Sequence, residues 1–483
     1  MWWARLKTAG ARPVDVASLV ALRVAFGVLA LFGAVRFLAN GWVDRFFGIP
    51  TFFFRYEGFE WVPVPSEGGI TTLFVVMAMS AVGIIVGWRY RLSMAAYLVA
   101  FIWVELIDVT NYLNHYYLVT LLGALLLCLP LGATPSSTKR WRLTPEITEV
   151  PAWMVWLVRF QVGVVYIFAG LAKAGPDWLI HAQPLNLWLS SRTDFPLIGP
   201  LFEHHATALI FSWAGFLHDL LIPLLLLWSR TRALAFAALV GFHAMTHLLF
   251  NIGMFPFIMT AAATSFFEPA WPRRLLRRLS RGAWQMRPTA IKVWQSPRAA
   301  WTRTAIAIAA IIFCTYQVLM PLRTHLHDGD VLWHEQGMRW SWRVMVREKN
   351  GTVTYRVKTA ESHREKYVSP LQYLTPHQAR EFSGQPDMIV ALGRHIAGQW
   401  RARGFDDVEV RVDALASLNG RPAIPLLDPD ADIAAPGTRG LDPAWIEAGP
   451  TTAPPIRLPI QLPARVPRSH TRSTGDDYVD VTP

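Results

Sequence analysis

Residues 159–178 read RFQVGVVYIFAGLAKAGPDW. From Phe160 to Ala172 only Gln161 and Tyr166 carry polar side chains, and then comes Lys173. With the preceding PAWMVWLV this run is long enough for a membrane helix, which takes about 20 residues. Lys173 stands at its end, three residues after Gly170, which leaves room for a close neighbour. Two readings are open. The lysine snorkels its ammonium to the interface, or it is an amine that works only while burial keeps it neutral. Lysine titrates at about 10.4 in water, and desolvation lowers that by several units.

The rest of the chain belongs to the same class. Its 483 residues are 53% hydrophobic, its mean hydropathy is positive, and several further runs are long enough to cross a bilayer. The hydropathy predicts an α-helical bundle of about nine transmembrane spans, at 16–38, 70–88, 92–109, 114–132, 151–172, 206–228, 233–250, 252–267 and 304–322. FFGIPTFFF, within 41–69, reads as an interfacial helix. No small-residue cleavage site follows the basic N-terminus, so the first run reads as an uncleaved helix. Cys128 and Cys314 lie in apolar runs, with no CxxC motif.

The net charge of +12 reads as topology and not as a nucleic-acid surface. Arg5, Lys7 and Arg12 precede the first span. Arg89 and Arg91 follow the second, Lys139, Arg140 and Arg142 the fourth, and Arg230 and Arg232 the sixth. The loop after the eighth carries Arg273, Arg274, Arg277, Arg278, Arg281, Arg287, Lys292, Arg298 and Arg303. With nine spans these all share one side, which the positive-inside rule makes cytoplasmic. Everything after the ninth span is then outside.

From about residue 325 the hydropathy falls. WRVMV and TVTYRV alternate as strands around the turn EKNGT, PDMIVALGRHIAGQWRARG reads as an amphipathic helix, and VEVRVDALASL as another strand. The expected organisation is a membrane domain at 1–323, a small extracytoplasmic α+β domain at 324–433, and a disordered or loosely draped Pro/Thr/Arg-rich tail at 434–483.

Polar groups within spans are costly and need a reason. Glu105, Asp108, Asn111, Asn114, His115, Lys173, His243 and His247 all fall toward the outer leaflet, with His218 and Asp219 mid-span. Asn114 and His115 also read as a helix cap, and His218-Asp219 as a contact between helices. His243 and His247, one turn apart, suit two metal ligands. A zinc site needs three or four, so a hydrogen-bonded pair is the simpler reading and no metal is expected.

YIFAGLAKAGPDWL, NYLNHYYLVTLL and FHAMTHLLFNIGMFPFIMTAAATSFFEPAWPRRLL together resemble the vitamin K-dependent γ-glutamyl carboxylase family, within the wider HTTM group. GWRYRLS, GMRWSWRVMV…TVTYRV and VRVDALASLNGRPAIPLLDPDADI continue the resemblance in order over roughly residues 15–435. The resemblance implies that Lys173 is the catalytic base, since the family's second lysine of Ala-Gly-Val-Lys-Lys maps onto it, and that His115 assists. It places Asn114, Phe242, His243, His247 and Met254 at the cofactor, and Trp340 and Trp342 at the substrate. The chain departs from the family at Thr246-His247-Leu248 and at Trp340, which stands where the family has tyrosine. It looks like a prokaryotic relative of the bacterial inner membrane.

The activity implied is carboxylation of peptidyl glutamate. The cofactor implied is a reduced vitamin K of the phylloquinol or menaquinol type, with O2 and CO2 as co-substrates and no metal. Oxidation of the deprotonated hydroquinone would generate an alkoxide strong enough to form the glutamyl carbanion, which captures CO2. The partners implied are a glutamate-containing protein or peptide, membrane lipid and a membrane quinone. Two other readings stand beside this one: a quinol-binding oxidoreductase or epoxidase without carboxylation, and a non-enzymatic HTTM-type export or immunity factor.

Overall fold

Runs without charge fold as helices wherever turn residues do not interrupt them. The computed structural model describes residues 2–132, 147–250, 252–279, 299–435 and 440–456. Helix α1 (Trp2–Ala11) leads through strand β1 (Pro13–Asp15) into α2 (Ala17–Ala39), α3 (Glu67–Val86), α4 (Tyr90–Glu105) and α5 (Asn114–Cys128). Strand β2 (Glu149–Pro151) precedes α6 (Ala152–Leu171). Two short helices, α7 (Pro176–Leu179) and α8 (Leu185–Ser190), lead to α9 (His205–Leu227), α10 (Arg232–Leu249), α11 (Phe255–Ala263), α12 (Trp271–Leu279) and α13 (Ala300–Leu322). Neighbours in sequence pack as neighbours in space: α2 on α3, α3 on α4, α4 on α5, α9 on α10, with α6 against α9.

The count of nine expected spans is not confirmed. Among the described residues six helices are long and apolar enough to cross a membrane: α2, α3, α6, α9, α10 and α13 with its 3-10 extension. The spans expected at 92–109, 114–132 and 252–267 fall on α4, α5 and α11, of 16, 15 and 9 residues. At 1.5 Å per residue, 15 residues reach about 22 Å, short of a core about 30 Å thick. Hydropathy counts apolar loop residues as helix. Ile107 and Val109 are apolar, but Asp108 accepts a hydrogen bond from the Thr110 backbone N–H (3.0 Å) and turns the chain into a 3-10 turn. Gly253 at φ +58° delays α11 in the same way. In the 41–69 connection the helical part is one wide turn, Asp44–Gly48.

Strands β1 and β2 pair antiparallel, Val14 opposite Val150, and join the start of α2 to the start of α6. Asp15 at this end holds Arg273 at 2.7 Å. The connections carrying Arg89, Arg91, Arg230 and Arg232 lie at this end too. Lys139, Arg140, Arg142, Arg281, Arg287, Lys292 and Arg298 lie outside the described residues.

At the opposite end a four-stranded sheet of order β4-β3-β5-β6 sits on the bundle. It consists of β3 (Lys349–Thr359), β4 (Ser362–Val368), β5 (Glu409–Leu418) and β6 (Ile424–Pro425), with Tyr355 opposite Val412 across the central pair. Helices α14 (Val331–His334), α15 (Pro376–Phe382) and α16 (Pro386–Ala402) accompany it. The buried face of α16, Ile389, Leu392 and Ile396, shares one apolar core with Val410, Val412 and Ala414 of β5. The helix expected at PDMIVALGRHIAGQWRARG and the strand at VEVRVDALASL are therefore present.

WRVMV is not a strand. Trp340, Trp342 and Met345 all have left-handed backbones, at φ +61°, +60° and +54°, which breaks the extended pairing the alternation suggested. The sheet starts at Lys349, inside the expected turn. The tail expected from 434 opens with a held segment. Leu427 bridges Ile446, and the Glu447 and Thr452 carbonyls accept from Trp333 Nε1 (2.8 Å) and Arg421 Nε (2.6 Å). Residues 457–483 lie outside the described residues.

Candidate functional site

The site begins with the missing side chain of Gly170. A Cβ there would lie 2.7 Å from Leu220 Cδ2 and 3.2 Å from the Leu220 backbone nitrogen, so glycine lets α9 close onto α6. Just past the end of α6, Lys173 meets the residue beside that contact. Its Nζ donates to Asp219 Oδ2 at 2.8 Å and to the Ala169 carbonyl at 3.0 Å, and lies 5.3 Å from the Trp178 ring centre. The side chain is 7% exposed, like that of Asp219. It points into the bundle and does not snorkel to water. Asp219 turns its other oxygen to His218 Nδ1 at 3.1 Å. Pro223, one turn further along α9, has no N–H to offer the Asp219 carbonyl, so the helix ladder is open where it carries the carboxylate.

Lys173 and Asp219 face a narrow cleft between α6, α9 and α10. Its walls are aromatic: Tyr166, Trp178, Trp188, Phe242, Phe250 and Phe255. Val344 and Met345, from the irregular loop above the bundle, complete the lining. Each left-handed residue of that loop costs about 1 kcal/mol or more and persists because its surroundings hold it. Trp342 is fully buried and stacks on Tyr117 (5.0 Å, 28°), and the Trp340 backbone N–H donates to Tyr112 Oη at 2.7 Å.

His243, from α10, is buried in the cleft wall. Tyr166 Oη lies 2.7 Å from its Nε2, and its Nδ1 is buried without a hydrogen-bond partner. Phe242 stacks on His218, ring centres 3.9 Å apart at 17°. Three of the residues expected from sequence, Lys173, Phe242 and His243, thus share one cleft.

The others do not line it. His115 is buried on α5, 6.4 Å from the Phe255 ring, whose centre is 6.2 Å from His243. A Cβ on Gly253 would sit 3.6 Å from His115 Cε1. Asn114 accepts from Tyr112 Oη at 3.1 Å, and it is Leu113 that takes the cap position of α5, without a side-chain bond. Met254 is buried in the main core. His247, one turn further along α10, is exposed and packs against Phe257, while His243 pairs with Tyr166, so the two histidines are not paired with each other. Trp340 is partly buried and stacks on Tyr56 (5.7 Å, 16°), whereas Trp342 presents no surface to an incoming chain.

Two features escaped the sequence reading. Asp219 was read as a generic interhelical contact and is the ion-pair partner of Lys173. Asp177, in α7 beside the cleft, is gripped by the sheet domain. Arg421 Nη1 and Nη2 donate to its two oxygens at 2.7 and 2.6 Å, and Asn419 Nδ2 at 2.7 Å. Burial pushes the Asp177 carboxyl up, but the bonds from Arg421 and Asn419 and the guanidinium charge outweigh it and hold the carboxyl below its ordinary range. The only signal available was a short turn, SLNGRP, facing a lone acid in GPDW.

A family model described as HTTM domain matches residues 11–271. A second, described as vitamin K-dependent gamma-carboxylase, lumenal domain, matches residues 302–447. The first covers α2 to α11, and the second covers most of α13 and the sheet domain. No solved structure matches the chain.

Proposed function

Because the chain belongs to the vitamin K-dependent γ-carboxylase family, we propose that it is a membrane-embedded carboxylase. It would couple oxidation of a reduced naphthoquinone by O2 to carboxylation of peptidyl glutamate with CO2. The observation that carries this reading is the buried Lys173–Asp219 pair at the wall of an aromatic cleft that the extramembrane domain helps to close.

The lining of the cleft suits a naphthoquinol ring. Its walls are flat and apolar, and His243 Nδ1 is a buried polar atom with no partner, ready for a ligand oxygen. When bound, the quinol supplies the reducing power and, with O2, the strong base that a glutamyl γ-carbon requires. Lys173 Nζ receives a proton from a ligand hydroxyl, and Asp219 Oδ2 holds the ammonium so formed. Tyr166 fixes the His243 ring through Nε2 and leaves Nδ1 for the ligand. Trp178, Trp188 and Phe250 keep water from the amine.

The substrate peptide approaches from the extramembrane side, with Trp340 as a candidate platform. Trp342 contributes from inside the core by fixing the loop that carries Val344 and Met345. His115, Asn114, Met254 and His247 stand outside the cleft. Of these, His115 shares the Phe255 ring with His243. The sheet domain is extracytoplasmic in this reading and the N-terminus cytoplasmic.

The test uses purified full-length protein in lipid vesicles with reduced vitamin K, labelled bicarbonate and a glutamate-containing peptide. Labelled γ-carboxyglutamate is the expected product. Quinol oxidation without label would instead make the protein a quinol oxidoreductase, and the absence of both would reject an enzymatic role.

A further inference from the structure

Lys173 presents a contradiction. A general base must offer a lone pair, yet its Nζ rests 2.8 Å from a carboxylate, the partner that best suits an ammonium. His218 resolves it. The ring stacks on Phe242 and sits beside Tyr166 (ring centres 6.0 Å apart), and its side chain is 10% exposed. Its Nδ1 lies 3.1 Å from Asp219 Oδ1, while Nε2 is buried with no partner. One carboxylate therefore lies between two nitrogens that compete for it.

We propose that His218 shares with Lys173 the one mobile proton of this three-residue chain, and that Lys173 becomes a base when the proton moves to His218. In one arrangement the chain is lysine ammonium, aspartate and neutral imidazole. In the other it is lysine amine, aspartate and imidazolium. The proton leaves Nζ for Asp219 Oδ2, the carboxyl turns to bring that O–H to His218, and the proton passes to Nδ1, which is bare because the neutral imidazole carries its hydrogen on Nε2. The N–H bond on lysine breaks, an N–H bond on histidine forms, and nothing is oxidised or reduced. The net charge of the chain is zero in both arrangements, so the shift needs no compensating ion in a dry site. A lysine–carboxylate pair alone frees its amine only by making a neutral acid or by losing a proton to bulk water.

Among the described residues, the ionisable groups around His218 are Asp219 on its own helix, Tyr166 from α6, Lys173 just past the end of α6, and His243 from α10. His218 does not line the cleft and acts through Asp219 and Lys173, as a positioning residue.

The role of Lys173 as base rests on the proposed function, so the test reads the amine directly. Only an unprotonated amine is acylated. Full-length protein in vesicles is treated with limiting acetic anhydride between pH 6 and 8.5, and acetylation of Lys173 is measured by peptide mass spectrometry. The variants are His218→Asn, whose amide can donate to Asp219 but cannot accept the proton, and His218→Gln as a second polar replacement. Wild-type Lys173 is expected to react at a rate that changes little with pH. In both variants the rate should fall at least tenfold at pH 7 and climb about tenfold per pH unit, because the amine now depends on losing its proton to solvent. Equal rates and equal pH profiles in wild type and variants would overturn the proposal.

In the quinol assay His218→Asn should lower kcat with KM unchanged. A wild type that shows the labelling difference but turns over no quinol would refute the proposed function and leave the shared proton standing.

Discussion

Replacing Asp177 by alanine should loosen the sheet domain from the bundle at one identifiable point. Asp177 receives two bonds from Arg421 and one from Asn419, and the Arg421 side chain is 8% exposed. Breaking a buried ion pair from one side costs about 3–5 kcal/mol. Here Arg421 retains the Thr452 carbonyl at 2.6 Å and the Leu418 carbonyl at 3.3 Å. Asp177 is also partly solvated, at 17% side-chain exposure. The expected cost is therefore smaller, about 2 kcal/mol, or about a 30-fold rise in local opening. Hydrogen exchange read by mass spectrometry should show that loss in peptides spanning 176–179 and 418–421, with α3 and α4 unchanged. Arg421→Ala should have the same effect, and the double variant should cost less than the sum, with a coupling of about 1–2 kcal/mol. The pH dependence has a defined sign. The Asp177 carboxyl is depressed in the folded state, so its contribution is complete above the unfolded value of about 3.9 and fades as pH falls through the lower folded value. Protection should be steady from pH 7 to 5 and decay only below about 4. Unchanged protection in Asp177→Ala, or a loss that begins near pH 6, would refute this reasoning.

Gly170→Ala should push α9 from α6, because the new methyl meets Leu220 at 2.7 Å. A loss of about 1–3 kcal/mol in detergent-solubilised thermal stability is expected, with quinol turnover falling further than stability alone explains. Tyr166→Phe leaves both ring nitrogens of His243 without a protein partner. It should cost about 1–2 kcal/mol and raise KM for reduced vitamin K roughly tenfold, measured by O2 uptake. A cysteine placed at Glu361, on the exposed β3–β4 turn, should react with a membrane-impermeant maleimide added outside intact cells. Labelling only after lysis would reverse the orientation.

The membrane class was legible because apolar runs leave few alternatives, and α16 and β5 were legible from their periods. Helices came out shorter than the expected spans where short-range turn chemistry interrupts apolar sequence, at Asp108 and at Gly253. The WRVMV loop was misread because alternation cannot reveal left-handed backbones at Trp340 and Trp342, which depend on packing against Tyr112 and Tyr117. Lys173 was singled out by its place after an apolar run. Its partner was not, since the pairing with Asp219 depends on Gly170 admitting α9, a contact between residues far apart in sequence. The two histidines of α10 look alike in sequence. The helix period puts them on one face, and only the tertiary packing tells which one is covered: His243 is, and His247 is not.

The central claim is that Lys173 is a base and not an anchor, and Lys173→Arg tests it most directly. Guanidinium stays protonated and cannot accept a proton, yet it keeps the charge that pairs with Asp219. Vesicles holding wild type, Lys173→Ala or Lys173→Arg are given reduced vitamin K, labelled bicarbonate and a glutamate-containing peptide. Quinol oxidation and labelled γ-carboxyglutamate should appear in the wild type and in neither folded variant, with a small added amine partly restoring Lys173→Ala. A Lys173→Arg protein that still oxidises quinol and carboxylates the peptide would contradict the account.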